Sequence, residues 1–117
     1  MDIEKFREYC ITKKWATEGF PFKNLPDTLV FKVAGKMFAA VSINTFKSIG
    51  VRCNSDEIDE LRATYPALQK PSYFSDRHWT KIVLDNSLSD EFIFQWIDNS
   101  YDLALKKLTK KERNSLE

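Results

Sequence analysis

The chain has 117 residues, 43% of them hydrophobic and 30% charged, with three glycines, four prolines and two cysteines. That length suits one hydrophobic core rather than two, and the balance excludes collagen-like, low-complexity and disordered chains. No apolar run approaches the roughly 18 residues of a membrane span, and Met1-Asp2-Ile3-Glu4-Lys5 lacks the basic-then-apolar pattern of a secretory leader, so a cytoplasmic protein with no membrane partner is expected.

From Asp2 to Thr12, Ile3, Phe6 and Cys10 recur at helical spacing, with Asp2 as N-cap and Glu4 in the first turn. Gly19-Phe20-Pro21-Phe22 follows, an aromatic loop whose proline denies it a helix. Thr28 to Val33 and Met37 to Ile43 are β-branched and aromatic, and Ala34-Gly35-Lys36 joins them as a hairpin. A two-residue turn would set Phe31 opposite Phe38. A three-residue turn would gather Leu29, Phe31, Val33, Met37, Ala39 and Val41 on one face, and the choice decides the sides of Lys36 and Phe38. Ser48 to Cys53 alternates as a third strand, half-buried.

Asn54-Ser55 then caps a helix that opens with Asp56-Glu57, carries Ile58, Leu61 and Tyr65 on one face, and ends at Pro66. A loop holding Pro71 leads into a fourth strand from His78 to Asp85. Ser89-Asp90-Glu91 opens the last helix, with Phe92, Ile93, Trp96, Ile97, Ser100 and Ala104 on its inner side. Residues 1–109 read as a single domain and 110–117 as a polar, fraying tail. The fold class is α+β: a three-strand antiparallel meander plus a later strand, with helices packed on one face.

Chemistry is scarce. Cys10 and Cys53 fall at apolar-facing positions and read as buried, reduced thiols. His78 is the only histidine, so a metal site is not expected. The glycines at 19, 35 and 50 form no phosphate-cradling loop, and no nucleophile elbow occurs. Ser75-Asp76-Arg77-His78 contains the residue types of a hydrolytic triad, but such polar runs are ordinary turns, and triads are made by geometry rather than adjacency. No enzyme activity, catalytic residue or cofactor is expected.

Charge is uneven although the net value is +1. Between Lys13 and Arg52 there are seven basic residues against two acids, whereas Asp56, Glu57, Asp59 and Glu60 cluster in the following helix. Lys32, Lys36, Lys47, Arg52 and Lys81 lie on strands or hairpin ends, where a sheet would gather them on one exposed face. Edge lysines that block strand pairing give the same pattern. Most of the 16 aromatic residues belong to apolar faces, leaving Trp79 and the Phe20-Pro21-Phe22 loop as a stacking surface or the closure of one end of the core.

Phe20-Pro21-Phe22, Phe31-Lys32-Val33-Ala34-Gly35-Lys36-Met37-Phe38-Ala39, Tyr65-Pro66-Ala67, Arg77-His78-Trp79 and Ser100-Tyr101 occur in the order of the MmcQ/YjbR family, which the chain resembles over roughly residues 1–109. The family more often carries glycine where Ala34 stands, and a glycine-tipped turn where Lys14-Trp15 stands. The resemblance implies a CyaY-like α+β domain and a DNA-binding role assigned largely by fold, and it identifies no catalytic residue. Double-stranded DNA is therefore the expected partner of a monomeric, non-enzymatic protein. Lys32, Lys36, Lys47, Arg52, Arg77 and Lys81 would contact phosphates with little sequence preference. The alternative is a ligand- or protein-interaction module using a cleft at Phe20, Phe22, His78 and Trp79.

Overall fold

Residues 1–116 are described by a computed structural model. Helix α1 (Ile3–Ile11) starts where expected, the Asp2 carboxylate accepting the Lys5 amide at 2.8 Å. Strands β1 (Ala16–Gly19), β2 (Thr28–Val33), β3 (Lys36–Ser42) and β4 (Ser48–Arg52) follow, then α2 (Ile58–Thr64), β5 (Leu68–Gln69), β6 (Trp79–Val83), α3 (Asp90–Lys106) and α4 (Lys110–Ser115). The six strands form one sheet in the order β1-β2-β3-β4-β6-β5, with every neighbouring pair antiparallel. The meander and the later strand are present as expected. Two short strands, β1 and β5, were not anticipated and close the sheet at its edges, where brief pairing leaves little backbone to recruit another chain.

The β2–β3 register combines features of both sequence alternatives. Val33 pairs with Lys36 across a two-residue turn in which Ala34 and Gly35 both take positive φ, +48° and +80°. The register then shifts: Lys32 stands opposite Met37 and Phe31 opposite Ala39, leaving Phe38 as a bulge. Phe38 and Ala39 can therefore both enter the core.

Ser100 of α3 sits at that irregularity. Its buried hydroxyl donates to the Phe38 carbonyl and accepts the Arg52 amide at 2.8 Å. One side chain thus satisfies two backbone groups of the strands beside the bulge.

The core lies between one sheet face and the helices. Leu29, Phe31, Val33, Val41, Ile49, Val51 and Ile82 meet Phe6 and Cys10 of α1, Ile58 of α2, and Ile93, Ile97 and Ala104 of α3. Three lesser expectations change. The Asn54 side chain does accept the Asp56 amide at 2.9 Å, but helix α2 begins only at Ile58, and Glu57 makes no capping bond. The polar tail contains a helical turn, α4, because Thr109 and Glu112 form a reciprocal capping box. The Phe20-Pro21-Phe22 loop does not close the core; it lies over the opposite face of the sheet.

Candidate functional site

That opposite face is formed by alternating residues of the same strands, among them Val30 and Lys32 of β2, Ala40 of β3, Gly50 and Arg52 of β4, and Trp79 and Lys81 of β6. Among the described residues no helix covers it, yet Val30 and Ala40 are only 1% and 4% exposed. Two loops roof them. Residues 20–26 bring Phe20, Pro21 and Phe22, and residues 70–78 bring Tyr73 and Phe74, with the Phe22 and Phe74 rings 6.3 Å apart. The Phe74 ring passes over Gly50 at ordinary van der Waals distance, 3.9 Å from where a Cβ would stand.

Beneath the roof, Phe74 stacks on Trp79 at 4.7 Å, and the Arg52 guanidinium lies 4.9 Å from the Trp79 ring centre. Trp79 is 5% exposed and so supports the roof instead of lining a cleft.

The roof loop is fastened to α2. Arg62 donates to the carbonyls of Asp76 at 3.0 Å and Trp79 at 2.9 Å, while its buried Nε has no partner among the described residues. Arg77 grips both oxygens of Asp59 at 3.0 and 2.9 Å and also donates to the Ser55 carbonyl. That charge-assisted contact, one guanidinium nitrogen shared between the two carboxylate oxygens, raises the Arg77 pKa and lowers that of Asp59.

The six cations marked in the sequence do not all converge. Lys32 and Lys81 stand on the roofed face, on opposite sides of the roof. Arg52 shares that face but is half-buried, and its Nε donates to the Met37 carbonyl at 2.6 Å; burial lowers its pKa. Lys36 lies on the helix side, near enough to Glu112 of α4 to help lower that carboxyl's pKa. Lys47 sits exposed in the turn before β4, where its carbonyl accepts the Leu84 amide. Arg77 is committed to Asp59.

The sequence reading missed Lys23, which lines the hollow between the two loops together with Phe22, Tyr73 and Phe74. It also missed Tyr73. Nothing in a loop's sequence shows which surface the loop will cover.

His78 is exposed, and no side-chain hydrogen bond joins it to Ser75 or Asp76; the run is a turn in which the Ser75 carbonyl accepts the His78 and Trp79 amides. His78 faces a shallow hollow with Asn54, Ser55 and Lys107, apart from Phe20 and Phe22. The aromatic cleft expected from Phe20, Phe22, His78 and Trp79 is therefore not formed by those four together. Both cysteines are free and buried, and burial raises both thiol pKa values, that of Cys53 to about 11.

The YjbR family model matches residues 11–103, most of the chain and all six strands. The chain belongs to the YjbR family. The Escherichia coli K12 protein YjbR, itself uncharacterised, is 25% identical over 117 residues, covering 99% of this chain and 98% of its own. A Deinococcus radiodurans protein with the DUF419 domain has the same fold at a TM-score of 0.89, with 28% identity over 98% of this chain and 87% of its own. A Pseudomonas syringae protein reaches a TM-score of 0.74 at 22% identity, covering 89% of this chain and 99% of its own.

Several residues that carry the YjbR resemblance hold the fold together. Arg77 ties the roof loop to α2, Ser100 bridges the strands at the bulge, and the Tyr101 hydroxyl donates to the Lys14 carbonyl in the turn before β1. Phe20 and Phe22 do something else. They stand on the one sheet face that the helices leave free.

Proposed function

We propose that this YjbR-family chain is a nucleic-acid-binding protein whose binding surface is the roofed face of the sheet. The observation that carries the reading is electrostatic. Among the described residues, the three hollows around the roof are lined by Lys23, Lys32 and Lys81, and by a single acid, Glu18. The Glu18 carboxylate is taken by Arg7 at 2.8 Å. The acids of α2 attach to the opposite side of the sheet, with Asp59 neutralised by Arg77. A chain of almost zero net charge therefore presents a locally cationic face, which suits a polyanion.

Lys32 and Lys81 are the phosphate contacts. Arg52 supports Trp79 and serves the framework. The binding needs no catalytic step and little base readout, since phosphate contacts carry no sequence information.

The test is a salt titration of binding to labelled DNA. Each phosphate contact contributes about −0.7 to −0.9 to the slope of log K against log salt. The Lys32→Ala/Lys81→Ala double variant should flatten that slope by roughly 1.4 to 1.8 units. An unchanged slope would reject this face as the binding surface.

A second reading has one observation in its favour: the hollow of about 590 Å³ between the two loops, lined by Phe22, Leu25, Tyr73 and Phe74, is large enough for a small apolar ligand. A ligand screened by thermal shift whose effect disappears in Phe22→Ala but survives the lysine substitutions would favour it.

A further inference from the structure

Two large apolar side chains on this surface are left mostly exposed. Phe20 is 53% exposed and Tyr73 is 74% exposed, although each adjoins a ring that is better buried, Phe22 and Phe74. A solitary exposed phenylalanine is ordinary. Here the two lie on separate loops that cover the same sheet face, and lysines stand beside both.

The loops are also stiffened. Pro21 follows Phe20, and Pro71 stands two residues before Tyr73. The far end of the 70–78 loop is pinned by Arg62 and Arg77. The aromatic side chains are thus held out on supports whose ordering was largely completed on folding, which reduces the entropy lost when a ligand lands on them.

Spacing adds a further constraint. Lys32 on β2 and Lys81 on β6 are separated by three strand intervals, about 14 Å across the sheet. Following the register, Lys81 stands level with Val30, two residues farther along than Lys32, roughly 7 Å. Phe20 and Pro21 adjoin Lys32, Tyr73 and Phe74 adjoin Lys81, and Lys23 lines the hollow between the loops. The sequence across the face is cation, aromatic, cation, aromatic, cation.

A duplex makes poor use of such a surface. Its bases are stacked on one another inside the helix, and among the described residues no helix or long ribbon stands on this face to enter a groove. An unpaired strand uses all of it, because its phosphates meet the lysines and its free base faces meet the rings.

We propose, building on the assignment of this face to nucleic acid, that the occupant is a single DNA strand of a few nucleotides laid diagonally from Lys32 to Lys81, with bases stacked on Phe20 and Tyr73. Recognition is by stacking and charge, so it tolerates any base.

The test compares fluorescence anisotropy of a labelled oligo-dT with that of a duplex of the same length, in the full chain at low salt. The single strand should bind at least tenfold more tightly than the duplex. Tyr73→Ala and Phe20→Ala should each weaken single-strand binding by about 5- to 160-fold, the range expected on losing one stacked base, and leave duplex binding unchanged. Both side chains are exposed, so circular dichroism of the variants should match the parent. Duplex binding equal to or tighter than single-strand binding, or oligo-dT binding unaffected by both substitutions, would overturn the single-strand inference and leave the nucleic-acid assignment standing. Binding to neither probe would overturn both.

Discussion

At the scale of single residues, four non-glycine positions among the described residues, Trp15, Ala34, Phe46 and Asn86, take the left-handed backbone that favours glycine, and two of them are instructive. Ala34 has φ +48° in the β2–β3 turn, and Trp15 has φ +63° between α1 and β1, the two turns at which the sequence departs from the glycines of the family it resembles. Left-handed backbone costs an ordinary L-residue about 1–2 kcal/mol, partly offset on replacement by the extra chain entropy glycine brings to the unfolded state. Ala34→Gly should therefore stabilise the chain by about 0.5 kcal/mol in urea unfolding, whereas a β-branched Ala34→Val should destabilise it. Trp15 is different, because its side chain packs against the core cluster and glycine would forfeit that contact. Ser100 carries more weight than either. Ser100→Ala leaves the Phe38 carbonyl and the Arg52 amide without their side-chain partner, and should cost about 1–3 kcal/mol. A loss below about 0.5 kcal/mol would mean that the strands can close over the bulge unaided.

At the scale of elements, α1, α3, β4 and β6 were legible because each has an apolar period, β2 and β3 because they are runs of β-branched and aromatic residues, and α1 and α3 have side-chain caps. Strands β1 and β5 were not legible. Ala16-Thr17-Glu18-Gly19 has no apolar alternation and Leu68-Gln69 is two residues long, so both exist through pairing with strands already formed. The bulge was hidden for a different reason: Phe38 and Ala39 are both apolar, and no period shows which will lose its partner. Helix α4 carried a readable signal, Thr109-Lys110-Lys111-Glu112, that the absence of an apolar face obscured. Of the site, the sequence marked Lys32, Lys81 and Phe20, but the arrangement depends on the 70–78 loop folding back across Gly50. Arg62 enforces that path through two carbonyls. Arg62→Met should cost about 2–3 kcal/mol and raise amide exchange throughout residues 70–78, with little change in α1. Uniform exchange along the chain would show that the loop is held by its aromatic contacts instead.

At the scale of the whole molecule, charge is sorted by layer. On the roofed face Lys23, Lys32 and Lys81 have no ion-pair partner among the described residues, although Lys70 of the roof loop faces Asp76 at 3.8 Å. The helical layer, by contrast, is stitched by ion pairs that join distant parts of the chain. The Asp90 carboxylate at the start of α3 receives the Met1 amino group at 3.2 Å and the Lys5 ammonium at 2.7 Å, so the beginning of α1 is tied to the beginning of α3. One turn or two along, Asp98 accepts both the Tyr9 hydroxyl and the Lys13 ammonium. On the other flank, Asp59 holds Arg77. The hydrogen bonds and neighbouring positive charges lower the folded pKa of Asp90 and Asp59 below the ordinary 3.8. A carboxyl depressed in the folded state stays ionised there to lower pH than in the unfolded chain. Its stabilising contribution is complete above the unfolded value and is lost as pH falls through the folded one. The melting temperature should accordingly change little on these groups' account from pH 7 to pH 5, then fall below about pH 4. Asp90→Asn should lower the melting temperature at neutral pH and make its decline in acid shallower, since one of the protonation events that drives unfolding has been removed. Both bonds of Asp90 are at the surface, so the difference between parent and variant should shrink in high salt. A parallel acid limb in parent and variant would show that Asp90 orders the helix ends without coupling folding to pH.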